Sequence, residues 1–147
     1  MTPMYKFNFM KKVLLLAPII LLFSAFGCKK VVEDIKRNYV LDIMTKGRWY
    51  VELFNEGSTD VTADFAGYEF QFYENGKVDG IKSTTTQQGT WAADVSALTI
   101  TSNFPSAVAP LQKLNAIWKL TDSYPDLVVA QTVVGTETHY LKLRKKP

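Results

Sequence analysis

The sequence predicts an all-β domain, a small antiparallel up-and-down barrel or half-barrel of about eight strands with an N-terminal leader helix. Three observations favour this fold class. Apolar and polar residues alternate along residues 68–73 and stop at Asn75-Gly76, which is typical of a strand that enters a hairpin. Further short segments with strand character follow, each bounded by turn residues. None of them is joined to the next by a helical segment, as parallel strands would require.

Residues 1–27 have the pattern of an export signal. Lys6, Lys11 and Lys12 form a basic start, and an unbroken apolar run covers Val13 to Phe23. This run is shorter than the roughly 20 apolar residues that span a bilayer. We therefore predict a signal peptide rather than a transmembrane helix.

Cys28 directly follows this run and is the only cysteine, so no intrachain disulfide can form. The segment Ala25-Phe26-Gly27-Cys28 resembles the motif of bacterial lipoproteins, in which signal peptidase II cuts before the cysteine and this cysteine carries the lipid. The resemblance implies acylation of Cys28 with chains such as palmitate, and anchoring in the outer membrane with either the periplasmic or the cell-surface face open. A free thiol after an ordinary signal is the alternative.

The net positive charge of the whole chain comes from the predicted signal peptide. Three of the 17 Lys and Arg residues precede Cys28, whereas all 14 Asp and Glu residues follow it, so the remainder is formally neutral. A neutral domain lacks the basic face that nucleic-acid binding needs. We expect no nucleic-acid partner.

A leader helix is predicted within residues 28–45. Val31, Ile35, Tyr39 and Ile43 recur at intervals of four, which places them on one face. The helix is predicted to end before Gly47, because glycine readily takes the left-handed conformation just past a helix terminus. The apolar face is expected to pack against the domain, and the alternative is that it lies on the membrane.

The domain itself is predicted to cover residues 46–147. Its first strand runs from Arg48 to Phe54 with Leu53 inward, and a type I′ turn is expected at Asn75-Gly76. The polar run Ser83 to Gln88 is predicted to be a strand end or a hairpin that is open to solvent. Residues 104–114 contain two prolines and are expected to form a crossover loop. The predicted core consists of Trp49, Phe70, Phe72, Trp91, Leu98, Trp118, Leu120, Leu141 and Leu143.

Four motifs in this order resemble the lipocalin-like lipoproteins of Bacteroidetes. They are Lys46-Gly47-Arg48-Trp49, residues 65–72 before Asn75-Gly76, Gly89-Thr90-Trp91, and Leu114-Asn115-Ala116-Ile117-Trp118. The resemblance covers about residues 44–145. It implies a small up-and-down β-barrel on a lipid tether, without implying a particular ligand.

No catalytic or metal-binding motif is visible. His139 is the only histidine, and no sequence motif marks a serine that could act with it in a Ser-His-Asp triad. If Cys28 is acylated, His139 is also the only remaining Cys or His side chain for a transition-metal site, which needs several such ligands. Paired carboxylates are the one catalytic option left open: Asp60 and Asp64 lie in one predicted loop, and Glu52, Glu69 and Asp79 lie on predicted strands. The sequence singles out no pair, and solvated side chains explain these residues better than glycosidase or calcium chemistry. We expect no enzyme activity, no metal and no cofactor.

Two functions remain open. In the first, the barrel binds a small apolar ligand through inward aromatic side chains. These candidate ligand contacts are Trp49, Tyr68, Phe70, Phe72, Trp91 and Trp118. In the second, the barrel holds no ligand, and its loops or the polar run Ser83 to Gln88 bind an envelope protein or a glycan.

Overall fold

A computed structural model describes residues 30–147, in a chain that divides into two compact units at residue 36. Residues 30–36, the described part of the first unit, are helical. The second unit, residues 37–147, starts with helical residues 37–45 and continues into β-strands. The predicted signal peptide and Cys28 lie outside the described residues. No helix within residues 30–147 is long and apolar enough to cross a membrane.

The second unit is built on one antiparallel sheet of nine strands. They are β1 (Trp49–Glu56), β2 (Thr59–Asp60), β3 (Tyr68–Phe72), β4 (Lys77–Lys82), β5 (Thr85–Asp94), β6 (Thr99–Asn103), β7 (Ala116–Tyr124), β8 (Leu127–Val134) and β9 (Glu137–Lys145). From β3 to β9 each strand pairs with its neighbour in sequence, which is an up-and-down meander. Short 3-10 helices at Thr62–Phe65 and Leu111–Leu114 lie in two of the connections.

The sheet closes on itself because β1 pairs on both sides. It pairs with β9 along its whole length, from Trp49 opposite Lys145 to Glu56 opposite His139, and with β3 through Trp49 opposite Phe70. The two-residue strand β2 folds back on the end of β1 and leaves eight strands around the ring. The predicted all-β antiparallel barrel is confirmed, in its closed form.

Three side chains that were predicted to point inward are less buried than expected, each for a backbone reason. A β-bulge between Val51 and Leu53 shifts the alternation of β1, so that Phe54 is buried and Leu53 only half-buried. Leu98 lies in the turn before β6 with a φ of 55°, and its side chain is 53% exposed. A similar bulge between Leu120 and Asp122 leaves Leu120 half-buried.

The turn at Asn75-Gly76 also differs from the prediction. Gly76 has a φ of 79°, but Asn75 is not among the residues with positive φ, so the turn is not type I′. The Tyr73 and Gly76 backbone N–H groups donate to the Lys77 and Tyr73 carbonyls, at 2.9 and 3.1 Å. This is a three-residue loop that ends in a left-handed glycine, which also joins β-strands well.

The end of the helix is attached to the barrel by three side chains. Lys145 Nζ, Trp49 Nε1 and Gln71 Nε2 donate to the carbonyls of residues 43, 44 and 45, at 2.8, 3.0 and 3.1 Å. The last carbonyls of a helix have no partner within it, so these donors satisfy groups that would otherwise need water. Met44 is buried, whereas Tyr39 is 60% exposed. Within the second unit, the predicted apolar stripe therefore packs at its C-terminal end.

The connection between β6 and β7, residues 104–114, folds into the barrel, and we call it the plug loop. The side chains of Phe104, Ala107, Leu111 and Leu114 are all buried. Asn115 holds the start of the loop, because its Oδ1 accepts from the Phe104 N–H at 2.6 Å. The expected crossover is corrected by this finding, since β6 and β7 are adjacent strands.

The plug loop reaches strand β4 at Gly80. A Cβ atom at Gly80 would lie 2.8 Å from Leu111 Cδ1, well inside normal contact. Gly80→Ala is therefore expected to lower the free energy of unfolding by about 1–3 kcal/mol. Chemical denaturation of both single variants and the double variant Gly80→Ala/Leu111→Ala tests the contact, because the smaller Leu111 side chain should recover part of the Gly80→Ala cost. Strict additivity of the two effects would contradict this packing.

Candidate functional site: the barrel interior

The three tryptophans are buried and hydrogen-bonded to the backbone. The indole N–H of Trp49 donates to the Met44 carbonyl at 3.0 Å, that of Trp91 to Tyr73 at 2.9 Å, and that of Trp118 to Leu114 at 3.0 Å. Each side chain thus joins a strand to a segment outside that strand. A buried indole needs such an acceptor, and none of the three N–H groups is left for a ligand.

Of the other three side chains predicted to contact a ligand, two lie inside the barrel and one lies at the border of its core. Phe70 and Phe72 are buried, and Phe72 packs edge-on against Trp91 with ring centroids 5.2 Å apart. Tyr68 is half-buried, stacks on Phe70 at 6.3 Å, and carries Lys82 Nζ 4.9 Å above its ring. The structure therefore brings five of the six predicted side chains into the core, with Tyr68 at its border.

A cavity of about 40 Å³ lies among these side chains. Of the six predicted contacts, Phe70, Phe72 and Trp118 line it. The lining is apolar apart from Ser102, whose hydroxyl donates to the Leu114 carbonyl. Pockets for small molecules usually measure about 300–1,000 Å³, and even benzene occupies an engineered cavity of about 150 Å³. The interior as it stands has no room for a ligand of that size.

Several side chains that fill this space were not among the predicted ligand contacts. Phe104 and Leu114 come from the plug loop, and Met44 comes from the end of the helix. All three lie in segments without strand periodicity, so alternation could not assign them to the interior. The local signals were the apolar residues within 104–114, a segment that contains Pro105 and Pro110, and the apolar face of the predicted helix, beside which Met44 lies.

The candidate carboxylates are all engaged by neighbouring groups. Asp64 and Glu56 share Lys113 Nζ, at 3.0 and 3.1 Å, which ties the plug loop to the connection after β2. Asp60 accepts the Thr62 backbone N–H at 2.9 Å. Asp79 accepts from the hydroxyl of Tyr73 at 3.0 Å. Asp60 and Asp64 thus serve local structure in the described chain.

Three carboxyl groups, those of Glu52, Glu69 and Asp60, have lowered pKa values. The hydrogen bond from Arg144, with another from Lys142, lowers the pKa of Glu52. Hydrogen bonds from Arg48 and Lys146 lower the pKa of Glu69, and those from Thr62 lower the pKa of Asp60. A general acid at neutral pH needs a raised pKa. Ionised, partnered carboxylates of this kind are suited to structure rather than to proton donation.

The lowered pKa of Glu52 predicts a dependence of stability on pH. Its stabilising contribution is complete above the unfolded-state value of 4.5 and is lost as the pH falls through the lower folded-state pKa. Glu52→Gln should therefore reduce the decrease in unfolding free energy between about pH 5 and pH 3. Urea denaturation at a series of pH values measures this, with the exposed Glu74→Gln as the control. Equal pH profiles for the two variants would contradict the assignment.

In the described residues, His139 does not lie in a cluster of side chains that could bind a metal ion. The His139 ring packs edge-on against Phe54, with centroids 6.3 Å apart. Among residues 30–147, no group of three His, Cys, Asp or Glu side chains is placed to hold a metal ion. The arrangement among the described residues offers apolar contacts and fixed charge pairs.

Fold and interior together define a class, that of small closed antiparallel β-barrels with a filled apolar core. The structure is similar to the crystal structure of a DUF4847 family protein from Bacteroides vulgatus, with a TM-score of 0.52 and 19% sequence identity. The match covers 74% of this chain and 99% of that one. At this identity the likeness shows the fold. No protein-family model and no curated protein sequence matches the chain.

Proposed function

We propose that this protein is a lipid-anchored, non-catalytic protein of the cell envelope that binds another macromolecule through the outside of its barrel. The observation that carries the proposal is the filled interior, where the cavity among the core side chains measures about 40 Å³. Ligand-carrying barrels need an internal space matched to their ligand. With the inside occupied by the plug loop, the outer surface is the part of the barrel available for binding.

The lipid anchor rests on the N-terminal sequence. A basic start, a short apolar run and the segment Ala25-Phe26-Gly27 before Cys28 resemble a lipoprotein signal. Several acyl chains on Cys28 would give a stable anchor, whereas one would be marginal. We propose attachment to the outer membrane, which places the barrel close to other envelope components.

Cys28→Ser tests the anchor. The variant should appear in the soluble fraction and lose incorporation of a labelled fatty acid, because serine cannot form the thioether that holds the lipid. Ser24→Ala, which alters the same region but keeps the cysteine, should remain in the membrane fraction with its label. Continued membrane association and labelling of Cys28→Ser would overturn the anchor.

A second candidate function is the binding of a small apolar ligand in the barrel. The lining of the cavity, apolar apart from Ser102, favours it, although Phe104 or its neighbours must move to admit a ligand. Titration of the full chain with the fluorescent probe N-phenyl-1-naphthylamine distinguishes the two candidates. The proposed function predicts no saturable increase in fluorescence, and saturable binding would favour the ligand carrier.

A further inference from the structure

Strand β5 is longer than the strand that covers one of its sides. It pairs with β4 from Thr85 to Thr90, but its pairing with β6 covers only Thr90 to Asp94. Within the described chain, residues 85–89 therefore have a strand neighbour on one side alone. We call residues 85–88 the β5 edge.

The pairing with β6 ends for a local reason. Thr90 lies opposite Asn103, so the same register would bring Pro105 opposite Gln88. Proline has no backbone N–H and cannot continue the ladder. Instead the chain turns inward at Phe104, whose carbonyl accepts the Ala107 N–H at 3.3 Å, and becomes the plug loop.

Alternation along the strand identifies the backbone groups that the β5 edge leaves open. The Trp91 N–H points to the β4 side, where it donates to the Gly76 carbonyl at 2.8 Å. Residues two and four positions earlier, Gly89 and Gln87, point the same way. The N–H and C=O groups of Thr86 and Gln88 therefore point away from β4. Among residues 30–147, no backbone hydrogen bond from a loop reaches them.

The β5 edge also lacks the usual protection against strand addition. Proteins commonly protect an exposed edge with lysine, proline or a bulge. Here the sequence is Thr85-Thr86-Gln87-Gln88, without charge, proline or register shift, and with Thr86 and Gln88 exposed. The chain thus presents a short, uncharged segment with strong strand tendency to solvent.

We propose that an extended peptide segment of another envelope protein binds the β5 edge as an added strand, with backbone hydrogen bonds to Thr86 and Gln88. Donor and acceptor groups that repeat every second residue match a polypeptide backbone, because its own groups repeat at the same spacing. The partner segment is uncharged where it faces the β5 edge and free of proline at the paired positions. This inference rests on the proposed outer-surface function and names the surface.

The experiment uses the full chain in detergent micelles and a random dodecapeptide library displayed on phage. The most enriched peptide is synthesised and its affinity measured for the wild type, Gln88→Pro and Gln88→Thr. Gln88→Pro removes one outward N–H without breaking the ladder to β4, so the barrel is expected to fold. Its affinity should fall at least about 10-fold, the equivalent of one lost backbone hydrogen bond with its steric cost, whereas Gln88→Thr should stay within about 3-fold.

Hydrogen exchange on the wild type gives a second readout that needs no variant. Bound peptide should slow exchange of the Thr86 and Gln88 amides at least about 10-fold, while the Gln87 amide, already paired with β4, changes little. This alternation is specific to an added strand. Loss of affinity through misfolding would not produce it.

Three outcomes would overturn the inference. They are the absence of any enriched peptide, equal binding by Gln88→Pro, and exchange protection away from the β5 edge. A concentration-dependent dimer of the full chain that Gln88→Pro abolishes would assign the β5 edge to a second copy instead. A peptide bound equally by all variants leaves the outer-surface function standing, whereas saturable binding of the apolar probe removes that function itself.

Discussion

Replacing Phe104 with alanine is expected to lower the free energy of unfolding by about 3–5 kcal/mol. The Phe104 side chain is 1% exposed, packs edge-on against Phe70 at 6.4 Å and lines the central cavity. Truncating this side chain removes buried apolar surface and enlarges the central cavity. The strands around the cavity are fixed by their pairing and cannot move in to fill it. For a domain of this size the loss is a large part of the total stability.

Urea denaturation measures this loss, and Val108→Ala is the matched control in the same plug loop. Val108 is 67% exposed, so its truncation should change stability by less than about 0.5 kcal/mol. Because Asn115 bonds the backbone of residue 104, the loop should stay closed in Phe104→Ala. Equal stability of the two variants would mean that the plug loop does not fill the barrel.

Gly89→Ala is expected to destabilise the barrel by about 3 kcal/mol or more. A Cβ atom there would lie 2.5 Å from the Asn103 carbonyl oxygen and 2.7 Å from Phe104 Cδ1. The oxygen belongs to the backbone of β6 at the last residue paired with β5, so it cannot move without breaking the ladder. Glycine is needed at this position because the plug loop leaves the sheet directly over it.

Thermal and urea denaturation of Gly89→Ala test this contact against Thr90→Ala. Thr90 is the next residue of β5 and is exposed, so its truncation should cost well under 1 kcal/mol. If Gly89→Ala unfolds at the wild-type urea concentration, the close approach between β5 and the start of the plug loop is wrong.

The strands were predictable because their signals are local. Period-two alternation in residues 68–72, turn residues around Gly135 and β-branched residues along Leu127–Val134 each report on a few neighbouring residues. Antiparallel meanders need little more, since each strand pairs with the next one in sequence. The inward position of Trp49, Trp91 and Trp118 followed from the same alternation.

The errors arose where backbone geometry departs from regular alternation. The bulge after Val51 depends on how β1 meets β9, which is 92 residues away at the contact between Glu52 and Arg144. Leu98 takes a positive φ that no sequence rule assigns to leucine. Such features depend on partner strands, and no local pattern contains them.

The state of the barrel interior was still harder to predict, because it is decided by tertiary packing. Sequence analysis placed aromatic side chains inside the barrel but could not say whether space would remain between them. The answer depends on Phe104, Leu111 and Leu114, which reach the interior through an irregular loop. The open side of the β5 edge likewise follows from the place where β6 ends, and only the polar run Ser83 to Gln88 signalled it in the sequence.

Native mass spectrometry of the full protein, purified from its own membranes, tests most directly that the barrel interior is filled and carries no ligand. The mass under native conditions, after gas-phase removal of detergent, is compared with the mass after denaturation. We predict equal masses, both including the covalent lipid on Cys28. A reproducible extra mass of a small molecule that is lost on denaturation would contradict the proposal and identify the protein as a ligand carrier.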